Sequence, residues 1–140
     1  MAKQKKYTLF VEEELEFEVF GLSSPFADYR LAWELNNRFE FKFEKSLDLF
    51  SLTDRKTKVQ RQFQHFHFED EENHSTFYLL KNKQGNQSIT NEHNLMDFFL
   101  IIKNNLTIET NQFLNQLRNT NGIVAAFKLE NEDFDFIDYI

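Results

Sequence analysis

The longest apolar run in the chain is Met96-Asp97-Phe98-Phe99-Leu100-Ile101-Ile102-Lys103, with an acid near its start and a base at its end. Apolar at both alternating sets of positions, it predicts a central strand covered on both faces. Positions 7–20 behave differently. Tyr7, Leu9, Val11, Leu15, Phe17 and Val19 are apolar, and Glu14, Glu16 and Glu18 separate the later ones. A period of two predicts a half-buried strand that is wet on one side and ends at Gly21. Glu13 falls on the apolar side, which predicts a bulge or break near 12–14. Ser24-Pro25 predicts an N-cap and first helical position for a helix reaching Asn36 or Asn37. Its apolar face is Ala27, Leu31 and Leu35, with Phe26, Tyr29 and Trp33 on the flank and Asp28, Arg30 and Glu34 between them.

Phe39, Phe41 and Phe43 alternate with charged residues and predict a second strand. Leu47, Leu49, Phe50 and Leu52 predict a less regular segment tucked against the core. A third strand over 60–69 places Phe66 and Phe68 inward and His65 and His67 outward. Polar turns at 69–75 and 81–88 bracket a fourth strand at 77–80, and the run at 96–103 is the fifth. A second helix is expected from about 105–107, with Phe113, Leu114 and Leu117 inside and Asn121-Gly122 as its cap. The stretch 123–129 reads as a sixth strand, and 130–140 as an acidic, aromatic tail. The order β-α-β-β-β-β-α-β predicts one α+β domain over 1–140, with a mostly antiparallel sheet and both helices on one face.

Composition narrows the function. Sixteen basic and twenty-three acidic residues give a net charge of −7, which argues against nucleic acid, because binding it needs a basic stripe. The basic stretch at 53–62, with Arg55, Lys56, Lys58 and Arg61, reads as a solvated loop. Without cysteine there is no disulfide framework, thiol nucleophile or thiolate ligand. No apolar run approaches the ~18 residues of a membrane span, and Glu12-Glu13-Glu14 interrupts the basic start before any signal core. A cytoplasmic protein is expected. Eighteen Phe against three Gly and one Pro predict an aromatic core with few tight turns.

Several stretches resemble one family. They are Asp28-Tyr29-Arg30-Leu31-Ala32-Trp33, Leu79-Leu80-Lys81-Asn82-Lys83, Asp97-Phe98-Phe99-Leu100-Ile101-Ile102-Lys103 and Val124-Ala125-Ala126-Phe127. Together they look like the small bacterial proteins named for the pattern IPExxxVDY. Glu92 and Asp97 keep the motif spacing, while Thr90, Asn91, Met96 and Phe98 replace its Ile, Pro, Val and Tyr. With phenylalanine at 98, no mechanism using a phenol there applies. The resemblance implies a cytoplasmic bacterial protein and brings no activity with it.

Two groups of side chains are candidates for chemistry. His65, His67 and Glu69 point the same way on a strand and could share a metal ion such as zinc, with an open position for catalysis. The plainer reading is the wet face of a strand. Glu92 and Asp97 could act as an acid–base pair. The structural alternative, which we favour, pairs Asp97 with Arg30 to lock the first helix to the sheet, since an unpaired buried charge is costly. No Gly-rich phosphate loop, nucleophile elbow or triad accompanies either group, and no cofactor is implied. Phe26, Tyr29 and Trp33 could line a pocket, but aromatics at helical spacing more often build core.

The pattern also leaves a sheet face to be covered. If both helices pack on one side, Tyr78, Leu80, Phe98, Leu100, Val124 and Ala126 present apolar surface on the other. The 45–58 segment, the tail, a second copy of the chain or another protein could cover it. The expectation is a non-enzymatic interaction domain, possible as a homodimer, that uses this second face. The alternative is an enzyme built on His65, His67 and Glu69 or on Glu92 and Asp97.

Overall fold

A computed structural model describes residues 17–53, 57–85, 87–90, 93, 95–105 and 107–130. The first part of the expected strand at 7–20, Arg55, Lys56, Glu92 and the tail beyond 130 lie outside these residues. Among the described residues, ten strands and two helices follow in the order β1 (Phe17–Ser23), α1 (Asp28–Phe39), β2 (Glu44–Lys45), β3 (Phe50–Thr53), β4 (Gln60–Phe63), β5 (His65–Asp70), β6 (Ser75–Lys81), β7 (Lys83–Gln84), β8 (Gln87–Ser88), β9 (Phe98–Lys103), α2 (Thr110–Arg118) and β10 (Ala125–Leu129). Six strands form one antiparallel sheet, β10-β1-β9-β6-β5-β2. The chain is a single α+β domain, as its pattern predicts.

β9 lies inside the sheet, and Phe98, Phe99, Leu100, Ile101 and Ile102 are all buried. Strand register sorts their neighbours into two layers, because cross-strand partners share a face. On one face Phe98, Leu100 and Ile102 join Phe20, Leu22, Phe77, Leu79 and Ala126, under Leu31 and Leu35 of α1 and Phe113 and Leu117 of α2. On the other, Phe99 and Ile101 join Val19, Leu80 and Leu129, under Phe50, Leu52 and Phe63. These last three come from β3 and β4, which pair only with each other as a separate two-stranded layer.

The second face is therefore covered from within the chain, by β3 of the 45–58 segment together with β4. This corrects the expected interface. Phe98, Leu100 and Ala126 face the helices, Leu80 is sealed beneath the hairpin, and Tyr78 is half-buried beside Phe50. Only Val124 of the six stays exposed. The apolar pattern could not separate these cases, since a buried side chain reads the same whichever layer covers it.

Other boundaries moved for local reasons. α1 begins at Asp28 and not at Pro25, with Ala27 in the N-cap position and no side-chain cap. Ser24 instead accepts from the Phe26 amide at 3.1 Å, closing a turn ahead of the helix. The helix runs on to Phe39 and ends where Glu40 takes a left-handed φ of 59°. The expected strand at 39–43 is thus a helix end and a linker, leaving Glu44–Lys45 as the paired part. Asn36 fixes that linker, with its side chain bonded both ways to the Phe43 backbone. The strand over 60–69 breaks at Gln64, where the chain passes from the hairpin layer into the main sheet. α2 starts at Thr110, capped by Glu109 on the amides of Asn111 and Gln112, and ends at Arg118.

Phe63 is buried in the hairpin layer, whereas Phe127 on the edge strand β10 is 46% exposed. Phe63→Ala is expected to cost about 3–5 kcal/mol, and Phe127→Ala under about 1 kcal/mol, in urea unfolding followed by circular dichroism. Equal costs would mean that the hairpin does not seal the second face.

Candidate functional site

One end of the sheet gathers most of the residues singled out in the sequence. β1 and β6 end there, β9 and β10 begin there, and the connections at 24–27, 82–97 and 119–124 meet. Asn82, fully buried, organises the longest of them. Its carboxamide nitrogen donates to the carbonyls of Met96 (3.0 Å) and His93 (3.3 Å), and its oxygen accepts from the amides of Ile89 (3.0 Å) and Thr90 (3.4 Å). Its own amide donates to the Asp97 carbonyl at 2.9 Å. One side chain thus satisfies groups that a loop buried against strand ends would otherwise leave unpaired. Nothing in the pattern marked Asn82 beyond its place in the Leu79–Lys83 stretch, because its partners are distant backbone atoms.

Asp97 does not pair with Arg30. Its carboxylate accepts from the Ser24 amide at 2.8 Å and from the Ser23 hydroxyl at 3.4 Å, and its amide donates to the Leu22 carbonyl at 2.8 Å. It sits exposed just before β9 and not inside the strand, so it needs no buried counter-ion. Its role is to join the start of β9 to the turn leading into α1. Glu92, its proposed acid–base partner, lies outside the described residues.

Arg30 is fixed on the outer side of α1. Its Nε and Nη2 donate to Glu34 Oε2 at 3.0 and 2.9 Å, and the same oxygen accepts from Asn121 Nδ2 at 3.0 Å. The guanidinium lies 4.8 Å from the Phe26 ring centroid and 5.5 Å from that of Trp33, within cation–π range. Phe26 in turn lies against Gly122, whose φ of 91° favours glycine and whose missing Cβ makes room for the ring. Gly122 therefore seats the 119–124 turn on the helix and does not cap α2.

Tyr29 and Trp33 are not core. They are 70% and 57% exposed, and the buried face of α1 is Leu31, Ala32, Glu34 and Leu35. Val124 and Leu95, 74% and 83% exposed, stand in loops at the same end of the sheet. Asp28, Leu49, Lys81 and Lys83 border an open groove of about 550 Å³.

The histidines lie elsewhere, and neither is on a wet face. His65 is buried and His67 half-buried on the hairpin side of β5, where the Phe50 ring stands 5.5 Å from His65 and Tyr78 5.9 Å away. Burial pushes the His65 pKa down to about 4, and neighbouring His67 adds to the effect, while the Phe63 backbone and Asp48 oppose it. Burial, then Glu69, raises that of Tyr78. Among the described residues no three His, Asp or Glu side chains are grouped to hold a metal ion. His65, His67 and Glu69 form a row and not a cage.

No family model, curated protein or solved structure is significantly similar to the chain.

Asn82→Ala leaves several buried backbone groups unpaired and is expected to cost about 2–3 kcal/mol. Asp97→Asn, which keeps an acceptor for the Ser24 amide, should cost well under 1 kcal/mol. Thermal unfolding of both variants checks the order, and a costly Asp97→Asn would restore an ionic role for the carboxylate.

Proposed function

We propose that this is a non-enzymatic, cytoplasmic protein–protein interaction domain that docks a partner on the outer face of α1 and the neighbouring loop end of the sheet. The observation that carries this reading is the trio Tyr29, Arg30 and Trp33, exposed on α1. These residue types dominate the energetics of protein interfaces. Arg30 is already held between Phe26 and Trp33 by Glu34, and Glu34 by Asn121, so docking loses little side-chain entropy there. Val124 and Leu95 are further exposed apolar side chains in loops at that end of the sheet. The partner is another protein or a second copy of the chain. Kinship with the IPExxxVDY proteins rests on the quoted sequence stretches alone. The enzymatic alternatives lack such support, since Asp97 is engaged at Ser24 and the histidine row does not converge.

The test is the double substitution Tyr29→Ala and Trp33→Ala. Both side chains are mostly solvated, so stability should change by less than about 1 kcal/mol. Self-association in light scattering, or capture of a protein from the native cell, should fall at least tenfold. A wild-type chain that is monomeric and captures nothing would overturn the proposal, as would binding that survives both substitutions.

A further inference from the structure

Two polar atoms stand out in the packed part of the molecule. Nδ1 of His65 and Nδ1 of His67 are buried without a hydrogen-bond partner. Buried side-chain nitrogens are nearly always paired, and each exception calls for an explanation. Both rings lie on the sheet face that the β3–β4 hairpin covers, 5.7 Å apart, with Phe50 of β3 over His65. We propose that the hairpin is an acid-released cover, which lifts from the second sheet face when the His65 imidazole takes up a proton.

The construction of this layer supports the proposal. β3 and β4 are paired only to each other, so lifting them breaks side-chain packing and no ladder of the main sheet. The chain crosses from β4 into β5 through one residue, Gln64, whose amide and carbonyl are both bonded to the Gln84 side chain, each at 2.9 Å. That is a ready hinge.

Burial favours release, and the carboxylates around the cluster act against it. Glu44 stands opposite His67 on β2, Glu69 lies two residues along β5, and Asp48 precedes β3. All three are exposed, at the rim of the cluster. Tyr78 on β6 is the titratable neighbour on the buried side. Arg61 of β4 donates to the Ser88 and Ile89 carbonyls, and Lys103 ends the adjacent row formed by Glu69 and Thr76. A protonated ring beneath Phe50 gains by moving outward to water, because burial is the largest cause of its low pKa.

The sign follows from His65. Its folded pKa, about 4, is below the ordinary 6.5. Closure is fully stable above about pH 6.5 and weakens as the pH falls toward 4, because the open state binds more protons. Opening exposes Val19, Leu80, Phe99 and Ile101. This device is independent of the docking surface on α1.

Hydrogen exchange of the full chain at pH 7.5 and pH 5.0, corrected for intrinsic exchange rates, tests it. Amides of 50–53 and 60–63 should exchange at least tenfold faster at pH 5.0, while 98–102 stay protected. Trp33, the single tryptophan, lies on the helix layer and should keep its fluorescence. His65→Phe should remove the pH dependence. His67→Phe, which deletes the neighbouring charge, should reduce it and serves alone if His65→Phe fails to fold. Hairpin protection that is equal at both pH values, that is lost together with β9, or that keeps its pH response in the folded variants would overturn the proposal.

Discussion

The fold depends on one constraint, that β9 has no side fit for water. Five consecutive buried side chains, Phe98 to Ile102, alternate between the two sheet faces, so each face needs its own apolar cover. Burying one such side chain contributes roughly 1.5–3 kcal/mol. One cover is the helix pair, placed by the connections that follow β1 and β9. The other is the β3–β4 hairpin, inserted between β2 and β5. Without the hairpin Val19, Leu80, Phe99 and Ile101 would form an exposed apolar patch of the kind monomers avoid.

With both faces covered, the polar groups are left to organise the loop end. Asn82 and Asp97 work on backbone atoms. Asn82 folds the 82–97 connection around its carboxamide, and Asp97 joins that connection to the turn before α1. The charged groups of α1 meet a different need. Arg30 and Glu34 bond each other and Asn121, which leaves Tyr29 and Trp33 exposed beside a rigid cation. That surface is the one proposed above as the docking site.

Much of the fold was legible because it rests on local pattern. The double-sided run at 96–103, the alternation at 17–20 and 77–80, and the α+β order all follow from periods of two and 3.6. Boundaries were less legible. Ser24-Pro25 has the chemistry of a helix start, yet the Asp97 carboxylate takes the Ser24 amide and the helix begins at Asp28. The candidate site was half legible. Tyr29, Arg30 and Trp33 were singled out, but helical spacing suggested core for the aromatics, and Asp97 seemed to need Arg30. Asn82 carries no local signal as an organiser because all its side-chain partners are backbone groups, up to fourteen residues away.

Taken alone, the sequence determined the class of fold, the central place of residues 98–102 and the need for two covering layers. These depend on which residues are apolar and how they alternate, and they do not depend on distant neighbours. The tertiary structure decided which segment covers the second face, and hence that Leu80 is sealed, that Phe98, Leu100 and Ala126 face the helices, and that His65 is buried. It also decided that Asp97 holds a turn while Arg30 stays on the helix surface. The physical reason is that burial and pairing depend on what lies opposite a side chain in space, and residues far apart in the chain supply it. The apolar run at the centre of the sheet required both layers, but only the packed chain shows that one of them is a hairpin, over a sheet face where the Nδ1 atoms of His65 and His67 have no hydrogen-bond partner.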